Sequence, residues 1–460
     1  MSSKNDMPKK QRALVLQGGG ALGAYESGVL SVLCKELTYE YREGPLFDIV
    51  AGTSMGAMNA AVLVSNVVNR EKTWEEAAKE LENFWIDGEK GLSSTPGFSN
   101  LWWDEAKKQN KFSASSEAAR RYYSVKEYLK YGTPNVFSSL PPEPDTKFAD
   151  PDNTWSVHDI SPLQNTIERY SKDENNKEKL RIATSWNKKE PRLFVISVDV
   201  AEGKTIAFDS YHTQAEDDPQ NSLYEGDGIT IDHVMASGTI PIFYKFREIP
   251  TKGGRKFCDG GILSNTPFRE LLQAHRDYWK RIVGEDKDEI PDLDVYIINV
   301  HPSKQDEVPT DLDGVRDRIN DITFSDRSSR YDEMVADLIT DYKDLVRDYT
   351  NFVDRLKELA KNHLENRDES DIRFQNEFET LLNATQVKSR GGTGTGEQHI
   401  KYQELLKGRF KLTNVIRIEP EGPKSYTDSI YGKVGDFTSK TIMSLIEKGK
   451  QDARRVLKAQ

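Results

Sequence analysis

Short apolar runs alternate with amphipathic stretches along the first seventy residues of the chain. Residues 12–16 form an apolar run that predicts a short buried strand, and residues 47–51 form a second one. Between them, residues 24–37 place an apolar side chain at every fourth position, which is typical of a helix packed on one face. Residues 57–68 predict another helix directly after the second strand. This alternation predicts an α/β fold with a mainly parallel central sheet.

The later part of the chain shows the same two patterns less regularly. Further strands are predicted at 192–200, 204–209, 294–300 and 415–418, and further helices near 72–86 and 115–130. The first two of these strands flank Glu202 and Gly203, a pair typical of a turn, and therefore predict a β-hairpin. Residues 132–155 are rich in Pro, Ser and Asn and predict a surface loop.

A heptad repeat sets residues 331–359 apart, because their apolar side chains follow one another at steps of four and three. A shorter partner helix is predicted at 369–383, followed by a flexible loop at 389–396. We therefore predict an α/β body over 10–304 and 410–460, interrupted by a helical insertion over 305–409. Three interpretations of the heptad helix stay open: a coil for self-association, a lid over the site, or a hairpin packed on the body.

Charge and cysteine content narrow the classes of partner and compartment. A net charge of −11 argues against a nucleic-acid partner and against standing attachment to anionic lipid. Transient contact with a membrane surface through apolar side chains stays open. Two cysteines, Cys34 and Cys258, fit a reducing compartment. The sequence contains no run of eighteen or more uncharged apolar residues, the length that a membrane-spanning helix needs. We therefore predict a cytoplasmic protein, with peripheral membrane contact left open.

The sharpest chemical signal is Gly52-Thr53-Ser54-Met55-Gly56, which lies between a predicted strand and a predicted helix. A nucleophilic serine needs a tight strand-to-helix turn that exposes its hydroxyl, and glycines relieve the crowding of that turn. The N-terminus of the following helix adds amide groups that favour a developing negative charge. The alternative is an ordinary helix start in which Thr53 or Ser54 is the N-cap.

A glycine loop, Gly18-Gly19-Gly20-Ala21-Leu22-Gly23, follows the first predicted strand. Its amides suit either an oxyanion hole or a pyrophosphate. A dinucleotide site would need an acid at the end of the next strand, whereas Asp48 opens that strand. The oxyanion interpretation is therefore favoured, and a plain tight turn is compatible with both.

A third signal is Asp259-Gly260-Gly261, which follows a short apolar run and can hold a carboxylate at a sheet edge. Alone this triplet is usually a turn, and it gains meaning from the serine motif. His301 follows a predicted strand, so that Ser54, Asp259 and His301 come in the order of an α/β-hydrolase triad. The competing interpretation of His301 is a loop histidine at a strand end.

Together these motifs resemble the patatin-like phospholipase family. The glycine loop, the serine motif and the aspartate triplet occur in the family's order, and residues 236–241 resemble its Ala-Ser-x-x-x-Pro segment. The resemblance covers most of 12–66 and 192–268, together with the late strand near 415. It implies a three-layer α/β/α fold. It leaves 70–190 and the heptad insertion uncovered.

The resemblance also implies an activity and its residues. It implies hydrolysis of carboxylic esters in phospholipids or lysophospholipids through an acyl-enzyme, with no metal or cofactor. Ser54 would be the nucleophile, Asp259 the base, and Gly18, Gly19 and Gly20 the oxyanion donors, flanked by the motif glycines Gly23, Gly52, Gly56, Gly260 and Gly261. Where many members carry a basic residue in the loop, this chain has Ala21 and Leu22, so the preference for substrate charge is open.

A Ser–Asp dyad poses a physical difficulty, because an ordinary aspartate has a pKa of about 4 and is a poor base. We expect partial burial and a short hydrogen bond to the serine to raise its basicity. Three other functions stay open: a soluble esterase with a His301 triad, a non-enzymatic anion- or nucleotide-binding module, and an assembly protein that acts through the heptad helix.

Overall fold

The structure, a computed structural model, describes most of the chain outside the heptad region. The described residues are 7–40, 44–93, 116–140, 156–172, 180–211, 228–241, 243–249, 254–283, 290–326, 386–389, 398–401, 410, 412–421 and 432–459. The predicted heptad helix at 331–359, its predicted partner at 369–383 and most of the predicted glycine-rich loop lie outside these residues.

Strands and helices alternate through the first part of the described chain. The strands are β1 Lys10–Leu16, β2 Ile49–Thr53, β3 Gly132–Thr133, β4 Phe137–Ser139, β5 His158–Asp159, β6 Arg181–Ile182, β7 Arg192–Asp199, β8 Lys204–Asp209, β9 Ile229–Thr230, β10 Arg247–Glu248, β11 Lys256–Asp259, β12 Asp292–Ile298, β13 Gln386–Ser389, β14 Gln398–Lys401 and β15 Leu412–Ile418. The helices are α1 Gly23–Glu40, α2 Met55–Val68, α3 Trp74–Ile86, α4 Ser116–Tyr131, α5 Ser161–Ser171, α6 Ile231–Ser237, α7 Phe268–Val283, α8 Leu312–Phe324 and α9 Ser439–Lys458.

A mixed, mostly parallel sheet forms the centre of the fold, with strand order β10-β11-β7-β2-β1-β12-β15 and β8 paired to β7. The middle strands β1, β2 and β7 are parallel, and β8 and β11 pair with β7 in the antiparallel direction. Residues 13–16 of β1 have no exposed surface, as expected for a strand covered on both faces. This arrangement confirms the predicted α/β fold with three layers.

Strand register explains how two distant segments meet. Thr53, the last residue of β2, pairs with Ile196 of β7. The next residue of β7, Ser197, pairs on its other side with Asp259. Ser54 and Asp259 therefore come to the same level of the sheet, on either side of β7.

Helix packing fixes the start of α1, which follows the glycine loop. Helix α1 packs on α9 and α3, and α2 packs on α3. A side chain on Gly28 would overlap the carbonyl of Ile446, and one on Gly449 would overlap the carbonyl of Tyr25. The two backbones of α1 and α9 are thus in direct contact, which only glycine permits at these positions.

One predicted loop contains a small sheet. Residues 132–140, predicted as surface loop, include β3 and β4, and β4 pairs with β5. The turn signal was correct locally, because Gly132 and Asn135 have positive φ. Burial of Val136 and Phe137, at 3% and 6% exposure, anchors the strands that the polar composition obscured.

Contact density divides the chain into two units. One contains Arg12–Phe268, Val295–Ser328 and Val415–Gln460, and every residue of the candidate site lies in it. The other includes most of α7 and the antiparallel pair β13–β14, and in it Trp279 Nε1 donates to Gln11 Oε1 at 2.8 Å. The predicted insertion boundaries at 305 and 409 stay predictions.

None of the described helices combines the length and apolar character needed to cross a bilayer. The cytoplasmic location stays a prediction.

Candidate active site

Ser54 occupies a strained turn between β2 and α2. Its φ of 53° and ψ of −125° lie in a region that serine rarely adopts, and such strain clusters at functional sites. A side chain on Gly52 would overlap the carbonyl of Gly56, and one on Gly56 would lie 2.5 Å from the carbonyl of Leu16. Close backbone approach therefore requires both glycines, and the Ser54 side chain stays partly exposed.

Asp259 lies within hydrogen-bonding distance of Ser54. Ser54 Oγ donates to Asp259 Oδ2 at 2.6 Å across 205 positions of sequence. The other carboxylate oxygen, Oδ1, accepts the amide of Gly261 at 2.7 Å, so the Gly260-Gly261 turn orients the carboxylate. A side chain on Gly260 would overlap the carbonyl of Ile196, which keeps the turn tight against β7.

Burial changes the acidity of this carboxyl group. Asp259 is only 5% exposed, and burial raises its pKa to about 6. The hydrogen bonds from Ser54 and Gly261 act in the opposite direction, because they stabilise the charged form. The expectation that a short hydrogen bond to the serine raises the basicity is therefore wrong, and burial is the cause.

The glycine loop lies beside the serine. A Cβ on Gly18 would lie 3.0 Å from Ser54 Cβ, and one on Gly23 would lie 2.7 Å from Met55 Cγ. Gly20 has a φ of +56°, which only glycine adopts readily, and its packing against Val434 leaves no room for a side chain.

One of the three expected oxyanion donors is already paired. The amide of Gly18 donates to the carbonyl of Asn265 at 3.1 Å, so the expectation for Gly18 is corrected. Within the described residues, the amides of Gly19 and Gly20 have no hydrogen-bond partner, and the carbonyl of Gly19 accepts Leu22 N at 3.1 Å. The expectation that Gly19 and Gly20 are oxyanion donors stays a prediction.

Two amide side chains that the sequence analysis missed hold this loop. Asn265 Nδ2 donates to the carbonyls of Gly18 and Phe324 at 3.0 and 2.8 Å. Gln17 Oε1 accepts the amides of Val300 and His301, and its Nε2 also donates to Phe324 O. Only their positions in the sequence could have indicated these residues, since Gln17 directly precedes the glycine loop and Asn265 follows the aspartate triplet.

Ser237 is a third missed residue. Its hydroxyl accepts the amide of Ser54 at 2.8 Å. It lies in the segment 236–241 that the sequence analysis recognised but to which it assigned no role.

His301 lies beside the glycine loop and is bonded to Asp321. It is 2% exposed, and its Nδ1 lies 3.0 Å from Asp321 Oδ1. Asp321 in turn accepts Lys433 Nζ at 2.7 Å. Burial lowers the pKa of His301. Because Ser54 bonds directly to Asp259 and His301 bonds to Asp321, the Ser–Asp–His arrangement is not formed.

The dinucleotide alternative also loses support. Asp48 Oδ2 accepts the amide of Arg12 at 2.7 Å, at the end of β1 opposite to the glycine loop. The loop itself packs against Ser54.

Comparison with known proteins gives a family match. The family model described as Patatin-like phospholipase matches residues 14–272, more than half of the chain. No curated protein matches. Among solved structures, the crystal structure of VipD from Legionella pneumophila is 13% identical, with a TM-score of 0.33, and the match covers 98% of this chain and 67% of that one.

Proposed function

The chain belongs to the patatin-like phospholipase family, and from this premise we propose that it hydrolyses carboxylic ester bonds of lipids, namely the acyl chains of phospholipids or lysophospholipids. Ser54 is the nucleophile and Asp259 the base. The observation that carries the proposal is the 2.6 Å hydrogen bond from Ser54 Oγ to Asp259 Oδ2. A nucleophile within reach of its base is the geometry that covalent catalysis requires.

In the first step, Asp259 accepts the proton of Ser54 as Ser54 Oγ attacks the ester carbonyl carbon. The amides of Gly19 and Gly20, with the N-terminus of α2, stabilise the oxyanion. Collapse of the intermediate breaks the ester bond, and the proton passes from Asp259 to the departing alcohol. The acyl chain stays on Ser54.

In the second step, Asp259 accepts a proton from water as the water oxygen attacks the acyl-enzyme. Ser54 leaves with that proton and the fatty acid is released. Asp259 serves both steps because its Oδ1 stays bound to the Gly261 amide while Oδ2 exchanges the proton.

Exposed aliphatic side chains around the base support a lipid surface as the substrate. Ile262 and Leu263 follow the aspartate triplet and are each 53% exposed. Ile240 follows Thr239, whose carbonyl accepts the amide of Asp259, and is 41% exposed. Neighbouring exposed apolar side chains often mark a contact surface. We propose that they touch the membrane surface transiently.

The dyad is tested with Ser54→Ala and Asp259→Asn. Each variant is expected to lower the hydrolysis of short-chain esters and of phospholipid vesicles by roughly 10³-fold or more, because each removes one partner of the proton transfer. A fluorophosphonate probe is expected to label Ser54 in the wild type and not in Ser54→Ala, which separates an enzyme from an anion-binding module. If both variants keep wild-type rates on both substrates, the dyad is refuted.

The lipid surface is tested with the double variant Ile262→Gln and Leu263→Gln. Hydrolysis of phospholipid vesicles is expected to fall about tenfold, while hydrolysis of a soluble short-chain ester stays within a factor of two, because only the former needs apolar contact. Met443→Gln, a change at a 57% exposed residue of α9, is the matched control. Unchanged vesicle hydrolysis in the double variant would contradict the proposed contact and favour a soluble substrate.

A further inference from the structure

Ser237 is a buried serine at the end of α6 with no exposed surface. Its Oγ accepts the amide of Ser54 at 2.8 Å and donates to the carbonyl of Ile196 at 2.5 Å. Both hydrogen bonds go to backbone atoms, one on the serine turn and one on β7. The hydroxyl therefore connects the nucleophile's own peptide group to the strand that separates the two halves of the dyad.

The backbone of Ser54 needs such support. A serine at φ 53° lies outside its preferred conformations, so the surrounding structure must hold the turn in this strained form. Because the strand pairing of β2 ends at Thr53, the Ser54 amide has no partner in the sheet. A buried amide without a hydrogen-bond partner would destabilise the turn. Ser237 supplies that partner from outside the turn.

The same segment also holds the base. The carbonyl of Thr239 accepts the amide of Asp259 at 2.9 Å, and Thr239 Oγ1 donates to the carbonyl of Met235 at 2.8 Å. Ser237 and Thr239 thus contact the backbones of Ser54 and Asp259, respectively. Two residues apart in one segment, they set the spacing of two catalytic side chains that come from distant parts of the chain.

We propose that Ser237 is a positioning residue, which holds the backbone of Ser54 so that its hydroxyl stays within hydrogen-bonding distance of Asp259. This role rests on the proposed function. Because Ser237 is fully buried, it acts through Ser54 and not on the substrate. Its loss therefore lowers kcat and leaves KM nearly unchanged.

The pH dependence of the rate distinguishes a positioning role of Ser237 from a general contribution to stability. The hydrogen bond from Ser54 holds the pKa of Asp259 below the level that burial alone would give. If Ser54 moves away, that bond is lost, and the midpoint of the pH–rate profile moves upward. A substitution that only destabilises the fold changes the amount of active protein and leaves the midpoint in place.

The test compares Ser237→Ala with Ser171→Ala. Like Ser237, Ser171 is a fully buried serine at the last residue of a helix, α5, and its hydroxyl has no hydrogen-bond partner within the described residues, so its removal breaks no such bond. For Ser237→Ala we expect kcat to fall about 10–100-fold, since a displacement of about 1 Å can cost that much. KM is expected to stay within twofold and the pH midpoint to rise. Ser171→Ala is expected to keep kcat, KM and the midpoint.

A near-isosteric variant, Ser237→Cys, guards against simple misfolding. Its thiol is a weaker hydrogen-bonding group, so kcat is expected to lie between those of wild type and Ser237→Ala. The rate of fluorophosphonate labelling of Ser54, followed by mass spectrometry, is measured for every variant and is expected to rank them in the same order.

The outcomes distinguish the two proposals. If wild-type Ser54 is labelled and Ser237→Ala or Ser237→Cys, folded as judged by thermal melting, is labelled at the wild-type rate, the positioning role is overturned and the hydrolase stands. If Ser171→Ala loses as much kcat as Ser237→Ala, the role is also overturned. If wild-type Ser54 is not labelled at all, the hydrolase proposal fails and the positioning role fails with it.

Discussion

At the scale of single residues, Asp259, the proposed base, shows how burial changes the acidity of a carboxyl group. In water its carboxylate would hold a proton too weakly to take one from a hydroxyl at useful rates. Burial raises its pKa to about 6, which brings it closer to neutral working conditions. Burial also removes water molecules that would otherwise hydrogen-bond to the carboxylate. The amide of Gly261 replaces one of them by donating to Oδ1 at 2.7 Å, and it orients the group.

The pH dependence of hydrolysis follows from this pKa. Asp259 must be deprotonated to accept the proton of Ser54, so kcat/KM is expected to be low below pH 5 and to rise to a plateau above pH 7. The half-maximum is expected near pH 6, where the buried carboxyl group loses its proton. The measurement is kcat/KM on a soluble ester between pH 4 and pH 9, with protein stability checked at each pH. A half-maximum near pH 4 would show that Asp259 ionises as it does in water, and would contradict the assigned role of burial.

At the scale of elements, α1 couples the glycine loop to the last described helix. The helix begins at Gly23, directly after the loop, and its position is set by contact with α9. Tyr25 Oη donates to Asp452 Oδ2 at 3.1 Å, next to the close approach of Gly28 to Ile446. Any separation of these helices would therefore move the start of α1.

Gly28→Ala tests this contact. The added methyl group would overlap the Ile446 carbonyl, so the helices must separate, and the free energy of unfolding is expected to fall by about 1–3 kcal/mol. Urea unfolding followed by circular dichroism measures the change. Gly88→Ala is the control, because a Cβ there meets nothing within 4 Å and its stability is expected to stay within about 0.5 kcal/mol or to rise. Equal stability of Gly28→Ala and wild type would show that the helix contact is looser than the backbone distances indicate.

At the scale of the whole molecule, local sequence patterns predicted the individual strands, helices and turns better than the contacts between distant segments. The strand before Ser54, the hairpin of β7 and β8 and the turn after Asp259 each carry a signal within a few residues. The contact between Ser54 and Asp259 depends on the register of β11 against β7, which no local pattern encodes. The family resemblance supplied that pairing.

The residues that escaped prediction share a kind of chemistry. Gln17, Asn265 and Ser237 act through amide or hydroxyl groups that bind backbone atoms, and such side chains are common in loops everywhere. Sequence motifs point to side chains that ionise or act as nucleophiles. The supports that orient them become visible only when the chain is folded.

The contact between α1 and α9 also has a consequence in time. Tyr25 and Asp452 are 427 positions apart, so the ribosome synthesises α1 long before it synthesises α9. Throughout that interval the nascent polypeptide already contains Ser54, but α9, the helix that fixes the position of α1, has not been made. Truncated products that stop before residue 439 are therefore expected to lack the proposed ester hydrolysis, which an assay of such a truncation on a soluble ester checks.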